Sequence, residues 1–208
     1  MKIGVLALQG AFIEHIAMLQ KLGATAVSVR LPADLEGLDG LIIPGGESTT
    51  IGKLAVQYQL VEPLRQFALA NPVWGTCAGM IFMAKDIGLT KDMRRNQLLS
   101  DQPLLGVMDI KVERNAFGRQ VDSFEVGLDV PALANGAGDS DTAVPFPAIF
   151  IRAPRLVAVH GEATVLATLA DGTAVAAQQG HWLVTSFHPE LTTDDRFHRY
   201  FLELVRKT

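Results

Sequence analysis

The sequence has little cysteine, little excess of positive charge and no long apolar run. Its single cysteine, Cys77, excludes an intrachain disulfide and a cysteine-rich zinc site, and it suits a reducing compartment. Lys and Arg number 18 against 22 Asp and Glu, a formal net charge of −4, which argues against nucleic acid as a partner. No segment reaches the roughly 18 apolar residues of a membrane span, and the apolar run 3–8 is too short for a signal peptide. We therefore expect a cytoplasmic protein with no membrane partner.

The first 90 residues alternate apolar strands with amphipathic helices. Phe12, Ile16, Leu19 and Leu22 recur at helical spacing after the first apolar run. The predicted elements are strands 3–8, 26–29, 40–43 and 73–75, and helices 12–22, 61–70, 78–84 and one beginning at Ser48 or Thr49, whose hydroxyls would cap it. This alternation predicts a mostly parallel sheet covered by helices on both faces.

The second half of the chain predicts short strands with few helices between them. The strand candidates are 106–113, 120–128, 156–160, 164–169, 173–179 and 183–187, and the last helix is 194–206. Asp171-Gly172 is a hairpin signal, and the composition of residues 130–147 predicts a loop. We expect antiparallel strands appended to the parallel sheet, within a single domain spanning residues 1–208.

Residues 75–79 (GTCAG) have the form G-x-C-x-G, between an apolar strand and a helix. This context is typical of a nucleophile elbow, in which the nucleophile is strained and the glycines allow close backbone packing. Cys77 would lie at a helix N-terminus, where the helix dipole favours the thiolate. A buried, inert thiol packed among small residues is the alternative interpretation.

Four of the five histidines are better explained without catalysis. His15 and His198 fall on predicted helices beside charged residues, and we expect both to be solvated surface groups. His160 ends a strand and His181 occupies a turn, so we expect structural roles for them. No histidine has ligand-like spacing beside a second carboxylate or thiolate, and we predict no metal site.

His188 differs because Pro189 and Glu190 follow it directly after a predicted strand. If the chain stays extended there, positions i and i+2 face one way, and Glu190 can orient the imidazole towards a thiol. Pro189 stiffens the pair. A strand-end turn with an exposed acid remains the alternative.

Residues 44–48 (PGGES) follow another strand at the same expected edge of the sheet. The Gly46 amide, together with that of Ala78, is placed to stabilise an oxyanion. A tight turn before a capped helix explains the same glycines equally well.

With motifs 44–48, 75–79 and 188–190 in this order, the chain resembles the class I (triad) glutamine amidotransferases over nearly its full length. More narrowly, it resembles the glutaminase subunits of pyridoxal 5′-phosphate synthases. The segments that carry the narrower resemblance are 8–10 (LQG), 47–50 (ESTT), 112–120 (VERNAFGRQ), 150–154 (FIRAP) and 186–191 (SFHPEL). The family fold is a three-layer, flavodoxin-like α/β sandwich, and its chemistry requires no cofactor.

The resemblance implies a role for each matching residue. Cys77 attacks the side-chain amide of glutamine, His188 moves the protons, and Glu190 orients His188. The residues implied in glutamine binding are Gly46, Glu47, Ser48, Arg114, Ile151 and Arg152. Their chemistry is suitable, because a guanidinium matches the α-carboxylate of glutamine and a carboxylate matches its α-ammonium. For Arg114 and Arg152, a surface salt bridge is the competing interpretation.

The resemblance also implies a partner. In the family, ammonia passes to a (β/α)₈-barrel synthase subunit that builds pyridoxal phosphate from a pentose phosphate and a triose phosphate. By position, Gln9 and Gly10 are candidates for coupling partner binding to the site. The loop 130–147 is longer than the family pattern, and it directly precedes the segment that contains Ile151 and Arg152.

Three other functions stay open at this point: a free-standing γ-glutamyl hydrolase, the glutaminase subunit of another amidotransferase, and a non-catalytic domain that retained the fold.

Overall fold

The computed structural model describes residues 1–88, 102–114, 123–135 and 144–208 of the chain. The strands are β1 (Lys2–Leu6), β2 (Thr25–Val29), β3 (Gly40–Ile43), β4 (Val73–Thr76), β5 (Ala84–Gly88), β6 (Met108–Glu113), β7 (Ser123–Leu128), β8 (Phe146–Ile151), β9 (Arg155–Val159), β10 (Thr164–Thr168), β11 (Ala174–Gln179) and β12 (Trp182–Thr185). The helices are α1 (Phe12–Lys21), α2 (Ser48–Gln57), α3 (Val61–Ala70), α4 (Ala78–Met83) and α5 (Arg196–Lys207). Short 3₁₀ turns occur at Pro32–Leu35, Pro131–Asn135 and Pro189–Leu191.

Ten of the strands form one sheet in the order β2-β1-β3-β4-β12-β11-β9-β6-β5, with β10 paired beside β11. The strands from β2 to β12 in this order are parallel to one another. Beyond β12, the pairings with β11, β9 and β6 are antiparallel, and β5 returns parallel to β6. The predicted parallel sheet with appended antiparallel strands is therefore confirmed.

Successive residues of the central strands point to opposite faces of the sheet, where separate cores cover them. In β3, Leu41 and Ile43 pack into the core beneath α2, α3 and α4. Ile42 packs into the other core, with residues of α1 and α5. Because both faces are buried, β3 and the part of β1 that follows Lys2 are continuous apolar runs, as expected of parallel strands between helices.

Strands β7 and β8 lie outside the main sheet and pair with each other in a separate two-stranded ribbon. The predicted loop 130–147 is wrong at its end, because β8 begins at Phe146 and contains Pro147. It is also wrong near its start, where Pro131–Asn135 forms a 3₁₀ turn, while residues 136–143 lie outside the described part of the chain. Strand β5 was not predicted. The hairpin at Asp171-Gly172 is confirmed, since it joins antiparallel β10 and β11.

The helices of the described ranges are short. The longest, α5, has 12 residues, whereas a span of the bilayer needs about 20. Accordingly, no helix in these ranges is long and apolar enough to cross a membrane.

Candidate active site

Cys77 and His188 are brought together by two neighbouring parallel strands. Strand β4 pairs with β12 so that Thr76 lies opposite Thr185, and the Cys77 amide donates to the Thr185 carbonyl at 2.8 Å. Cys77 follows β4 directly, and His188 lies three residues beyond the end of β12. Both side chains therefore lie at the carboxyl edge of the sheet, where α/β proteins bind ligands.

The backbone at Cys77 is strained, as the G-x-C-x-G motif predicts. Its φ of 47° and ψ of −101° are unusual for a residue with a side chain, and α4 begins immediately after it. A Cβ on Gly79 would lie 2.0 Å from the Ile43 carbonyl oxygen, and one on Gly75 would lie 2.6 Å from the Gly79 carbonyl carbon. Both glycines are therefore required for the strand and helix to approach so closely.

The side chains of Cys77 and His188 meet over Gly45. A Cβ built on Gly45 would lie 2.3 Å from His188 Cε1 and 3.3 Å from Cys77 Cβ. The Cys77 side chain is one of the groups that raise the pKa of His188, so the thiol and the imidazole interact. A residue larger than glycine at position 45 would separate the thiol from the imidazole.

Glu190 contacts the His188 imidazole through its ring nitrogen Nδ1. His188 Nδ1 lies 2.7 Å from Glu190 Oε1, and both residues are buried. The expected extended chain is wrong, because Pro189–Leu191 forms a 3₁₀ turn. The turn folds the carboxylate back onto the histidine that precedes it.

The surroundings of His188 favour its protonated form. Burial by itself opposes protonation, but the hydrogen bonds with Cys77 and Glu190 outweigh it and raise the pKa of His188 to about 10. At neutral pH the site therefore holds an imidazolium between the sulfur and the carboxylate.

The glycine loop 44–46 is interlocked with the turn that follows β1. The Ala11 amide donates to the Gly45 carbonyl at 3.1 Å, and the Glu47 amide donates to Gln9 Oε1 at 2.6 Å. Gly10 has a φ of 105°, and a Cβ there would lie 1.8 Å from the Gly45 oxygen. Gln9 and Gly10 thus contact the loop on which the predicted oxyanion donor lies.

Helix α2 begins with a cap that differs from the predicted one. The Glu47 carboxylate accepts hydrogen bonds from the amides of Thr49, at 3.2 Å, and Thr50, at 2.6 Å, so the Ser48 and Thr49 hydroxyls are not the caps. Partial burial alone would raise the pKa of Glu47, but the hydrogen bonds from Thr49 and Thr50 lower it to about 2. Glu47 is ionised at neutral pH.

Arg114, at the end of β6, lies beside Glu47. Its Nη2 is 3.3 Å from Glu47 Oε1 and 3.2 Å from Thr49 Oγ1, and its Nη1 donates to Gln102 Oε1 at 2.7 Å. Sequence reasoning missed Gln102, which no motif marks. The remainder of the matching segment, 115–120, lies outside the described residues.

Ile151 ends β8, and Arg152 follows it directly. The His188 amide donates to the Ile149 carbonyl at 2.8 Å, which ties this strand to the histidine. Arg152 has a φ of 42°, a conformation that is costly for a residue with a side chain and is concentrated at functional sites.

A cavity of about 410 Å³ gathers these groups. Of the twelve residues predicted for the site, eleven line it, namely Gln9, Gly10, Gly46, Glu47, Ser48, Cys77, Ala78, Arg114, Ile151, Arg152 and His188. The twelfth, Glu190, is buried behind His188. Gly45, from the predicted glycine loop 44–48, also lines it, whereas sequence reasoning missed four further lining residues, which are Ala11, Ile81, Pro154 and Leu191.

The prediction that His15 and His198 are surface groups is wrong, because both are fully buried. His15 Nδ1 lies 3.0 Å from His198 Nε2, and His15 Nε2 lies 3.4 Å from Thr76 Oγ1. The spacing contained the signal, since His15 is three residues after Phe12 and four before Leu19, on the apolar face of α1. His198 is likewise three residues before Phe201 on the buried face of α5.

The other two histidines lie away from the cavity. His181 Nε2 lies 3.0 Å from the Ala68 carbonyl, a structural contact, and His160 is exposed at the end of β9. Within the described ranges, no group of His, Cys, Asp and Glu side chains is arranged to hold a metal ion.

Comparison with known proteins yields full-length matches. The family model of the SNO glutamine amidotransferases matches residues 5–207. The chain is 55% identical over 205 residues to the pyridoxal 5′-phosphate synthase subunit PdxT of Herpetosiphon aurantiacus, covering 98% of this chain and 100% of that one. It is 52% identical over 206 residues to the same subunit of Moorella thermoacetica, covering 99% and 100%.

Solved structures agree with the fold. A crystal structure of a glutamine amidotransferase matches with a TM-score of 0.84 at 47% identity, covering 98% of each chain. PurLQS from Thermotoga maritima matches with a TM-score of 0.66 at 13% identity, covering 99% of this chain and 97% of that one. At so low an identity, the second match shows a shared fold alone.

Proposed function

Because the chain belongs to the SNO glutamine amidotransferase family, we propose that it is the glutaminase subunit of a pyridoxal 5′-phosphate synthase. It hydrolyses L-glutamine to L-glutamate and ammonia, and the ammonia passes to a synthase subunit that makes pyridoxal 5′-phosphate, a form of vitamin B6, from a pentose phosphate and a triose phosphate. The observation that carries the proposal is the contact of Cys77 with His188, backed by Glu190, in a cavity at the sheet edge.

The proposed reaction begins with the thiolate of Cys77. Its sulfur attacks the side-chain amide carbon of glutamine, and the amides of Gly46 and Ala78 donate to the oxyanion that forms. His188 gives its proton to the leaving nitrogen, so the C–N bond breaks, ammonia departs and a γ-glutamyl thioester remains on Cys77. Neutral His188 then removes a proton from water, and the attack of that water releases glutamate and restores the thiolate.

Glu190 acts on His188 rather than on the substrate. Its carboxylate accepts from Nδ1 at 2.7 Å, which directs the other ring nitrogen, Nε2, towards the sulfur. The negative charge also stabilises the imidazolium. Burial of the pair strengthens this interaction, because water does not screen it.

We assign the recognition of glutamine to the polar residues at the cavity mouth. Glu47 suits the α-ammonium and Arg114 suits the α-carboxylate, while backbone groups of Ser48, Ile151 and Arg152 hold the remainder of the substrate. Glu47 and Arg114 bind each other at 3.3 Å, so the two groups that carry opposite charge already lie side by side, as a zwitterionic amino acid requires.

The synthase subunit is proposed to be a (β/α)₈ barrel that assembles with this chain into a hetero-oligomer, and coupling is assigned to Gln9 and Gly10. Gln9 Oε1 accepts a hydrogen bond from the Glu47 amide, and a Cβ on Gly46 would lie 2.5 Å from the same oxygen. Movement of Gln9 would therefore change the position of the glycine loop 44–46, which carries the proposed oxyanion donor. We expect Gln9→Ala to alter the stimulation of glutamine hydrolysis by the synthase subunit. Unchanged stimulation would remove Gln9 from this role.

The proposal treats residues 1–208 as one glutaminase domain, because one sheet runs from Lys2 in β1 to Thr185 in β12. We propose no cofactor, since the thiol, the imidazole and water supply every group of the reaction. We propose the cytoplasm as the compartment, because a nucleophilic thiol must stay reduced.

The test is glutamine hydrolysis by the chain with and without the synthase subunit, with Cys77→Ser as the control. The proposal expects hydrolysis that the synthase subunit stimulates and that Cys77→Ser abolishes. Strong hydrolysis that no synthase stimulates would favour a free-standing γ-glutamyl hydrolase, and undiminished turnover by Cys77→Ser would exclude the thiol mechanism.

A further inference from the structure

Glu190 has two carboxylate oxygens, and the triad uses one of them. Oε1 binds His188, whereas Oε2 is buried and has no hydrogen bond of standard geometry among the described residues. His15 Nε2, on α1, lies 3.4 Å from this second oxygen, and both side chains are fully buried. A buried carboxylate oxygen needs a donor, because leaving it unsatisfied costs about 1–3 kcal/mol.

We propose that His15 is a positioning residue of the glutaminase site, which presents its Nε2–H to Glu190 Oε2 and thereby fixes the carboxylate that orients His188. The inference rests on the proposed triad. His15 does not touch the substrate, and it acts through Glu190.

The neighbours of His15 define its tautomer. Nε2 lies 3.4 Å from both Glu190 Oε2 and Thr76 Oγ1, and only the contact with Thr76 has the geometry of a hydrogen bond. Because a carboxylate oxygen can only accept, the proposal assigns the ring hydrogen to Nε2. The other nitrogen, Nδ1, then accepts from His198 Nε2 at 3.0 Å. His198 is thereby held with its hydrogen on Nε2, and its buried Nδ1, which has no partner among the described residues, is a bare acceptor.

The surroundings keep both rings neutral. Burial, followed by the nearby His198 and His188, holds the pKa of His15 well below its ordinary value. Burial also lowers the pKa of His198 to about 3, although Asp195 opposes it. Beside the imidazolium of His188, a second buried cation would be unfavourable, whereas a neutral donor satisfies Glu190 without competing for its charge.

Helix α1 connects the contact between His15 and Glu190 to the rest of the site. The helix begins at Phe12, directly after the Ala11 amide that binds the Gly45 carbonyl, and His15 is in its first turn. One rigid element therefore supports both the glycine loop and Glu190.

The test exploits Cys77 as the single cysteine, because alkylation by iodoacetamide then reports on one thiol. We compare His15→Leu, which removes the donor, with His15→Gln, whose amide nitrogen can replace Nε2, and we measure alkylation rate against pH together with glutaminase kcat and KM in the complex. We expect His15→Leu to lower kcat about tenfold or more, and to lower the rate of alkylation below neutral pH by a similar factor, with little change in the KM for glutamine. In His15→Gln, we expect kcat and the alkylation rate to stay within about threefold of the wild-type values.

Two results would overturn the inference. The first is wild-type kcat and alkylation rate in both variants. The second is an equal loss of kcat and alkylation rate in both variants with unchanged midpoints of thermal unfolding, because equal losses would indicate a role in packing alone. Should His15→Leu not fold, long-range ¹H–¹⁵N NMR of the wild-type imidazoles decides the matter. A proton on His15 Nε2 alone supports the inference, and a bare Nε2 or a doubly protonated ring contradicts it. A failure of the proposed function can be distinguished from a failure of this inference. If the function were wrong, wild type and His188→Gln would show the same dependence of the alkylation rate on pH.

Discussion

Two groups of residues meet at the cavity, and they are held in different ways. The proposed catalytic group, Cys77, His188 and Glu190, is buried and is fixed by backbone contacts of β4, β12 and β8. The proposed recognition group is Glu47 and Arg114, which lie 3.3 Å apart, and the Glu47 side chain is 52% exposed. Both are held by side-chain hydrogen bonds, because Glu47 accepts from the amides of Thr49 and Thr50 and Arg114 donates to Gln102. The first arrangement preorganises a reaction, whereas the second leaves charged groups that can exchange partners with a ligand.

Removing the charge of the catalytic group should give the largest effect. Glu190→Gln keeps the shape of the side chain but loses the carboxylate that stabilises the imidazolium, and we expect kcat for glutamine hydrolysis to fall about 10³- to 10⁴-fold. Steady-state glutaminase assays of the complex measure this, with thermal unfolding as the control for folding. A decrease of less than about tenfold would show that Glu190 is not part of the catalytic group.

The close packing under Cys77 can be tested through Gly79. A Cβ there would lie 2.0 Å from the Ile43 carbonyl oxygen, so we expect Gly79→Ala to lower the free energy of unfolding by about 3 kcal/mol. Gly180→Ala is the matched control, since Gly180 has a φ of 56° with nothing near its missing Cβ, and it should cost only about 1 kcal/mol. Urea denaturation compares the two, and equal costs would contradict the packing argument.

The recognition group should respond in KM rather than in kcat. A lysine cannot reproduce the planar fork of the Arg114 guanidinium, so we expect Arg114→Lys to raise the KM for glutamine about tenfold, the equivalent of roughly 1.4 kcal/mol, while kcat changes little. A loss confined to kcat would place Arg114 in the catalytic group instead. Initial rates over a range of glutamine concentrations distinguish these outcomes.

The smallest effect is expected from the cap of α2. Glu47→Gln should lower the free energy of unfolding by less than about 1 kcal/mol at pH 7, because the side chain is half exposed. The pKa of Glu47 is lowered in the folded state, so its contribution is present above pH 4.5 and disappears as the pH falls towards 2. Denaturation of both proteins at pH 7 and near pH 2 tests this, and a difference of the same size at both pH values would count against the charged cap.

Local sequence patterns predicted the parallel half of the fold well. Strand β3 and helix α3 have the predicted bounds, because apolar runs between glycine and proline signals are local features. The residues of the proposed catalytic group could be singled out for the same reason, since the elbow at Cys77 and the pair of His188 and Glu190 are each encoded within five residues.

The failures arise where long-range contacts decide the structure. Strand β8 reads Phe146-Pro147-Ala148-Ile149-Phe150-Ile151, in which inward and outward residues are all apolar, so no alternation marks it, and Pro147 suggests a loop. The charged neighbours of His15 and His198 along the chain predict surface positions, whereas packing between α1, α5 and the sheet buries both rings. The partnership of Arg114 with Gln102 joins side chains whose proximity depends on the tertiary fold.

In the proposed reaction, the Cys77 sulfur carries the glutamyl group during hydrolysis. The direct measurement is intact-mass spectrometry of the complex, acid-quenched during turnover of glutamine, followed by peptide mapping of the modified chain. We expect one γ-glutamyl group on the peptide that contains Cys77, and none in Cys77→Ser. A γ-glutamyl group on another residue, or turnover by Cys77→Ser at the wild-type rate, would contradict it.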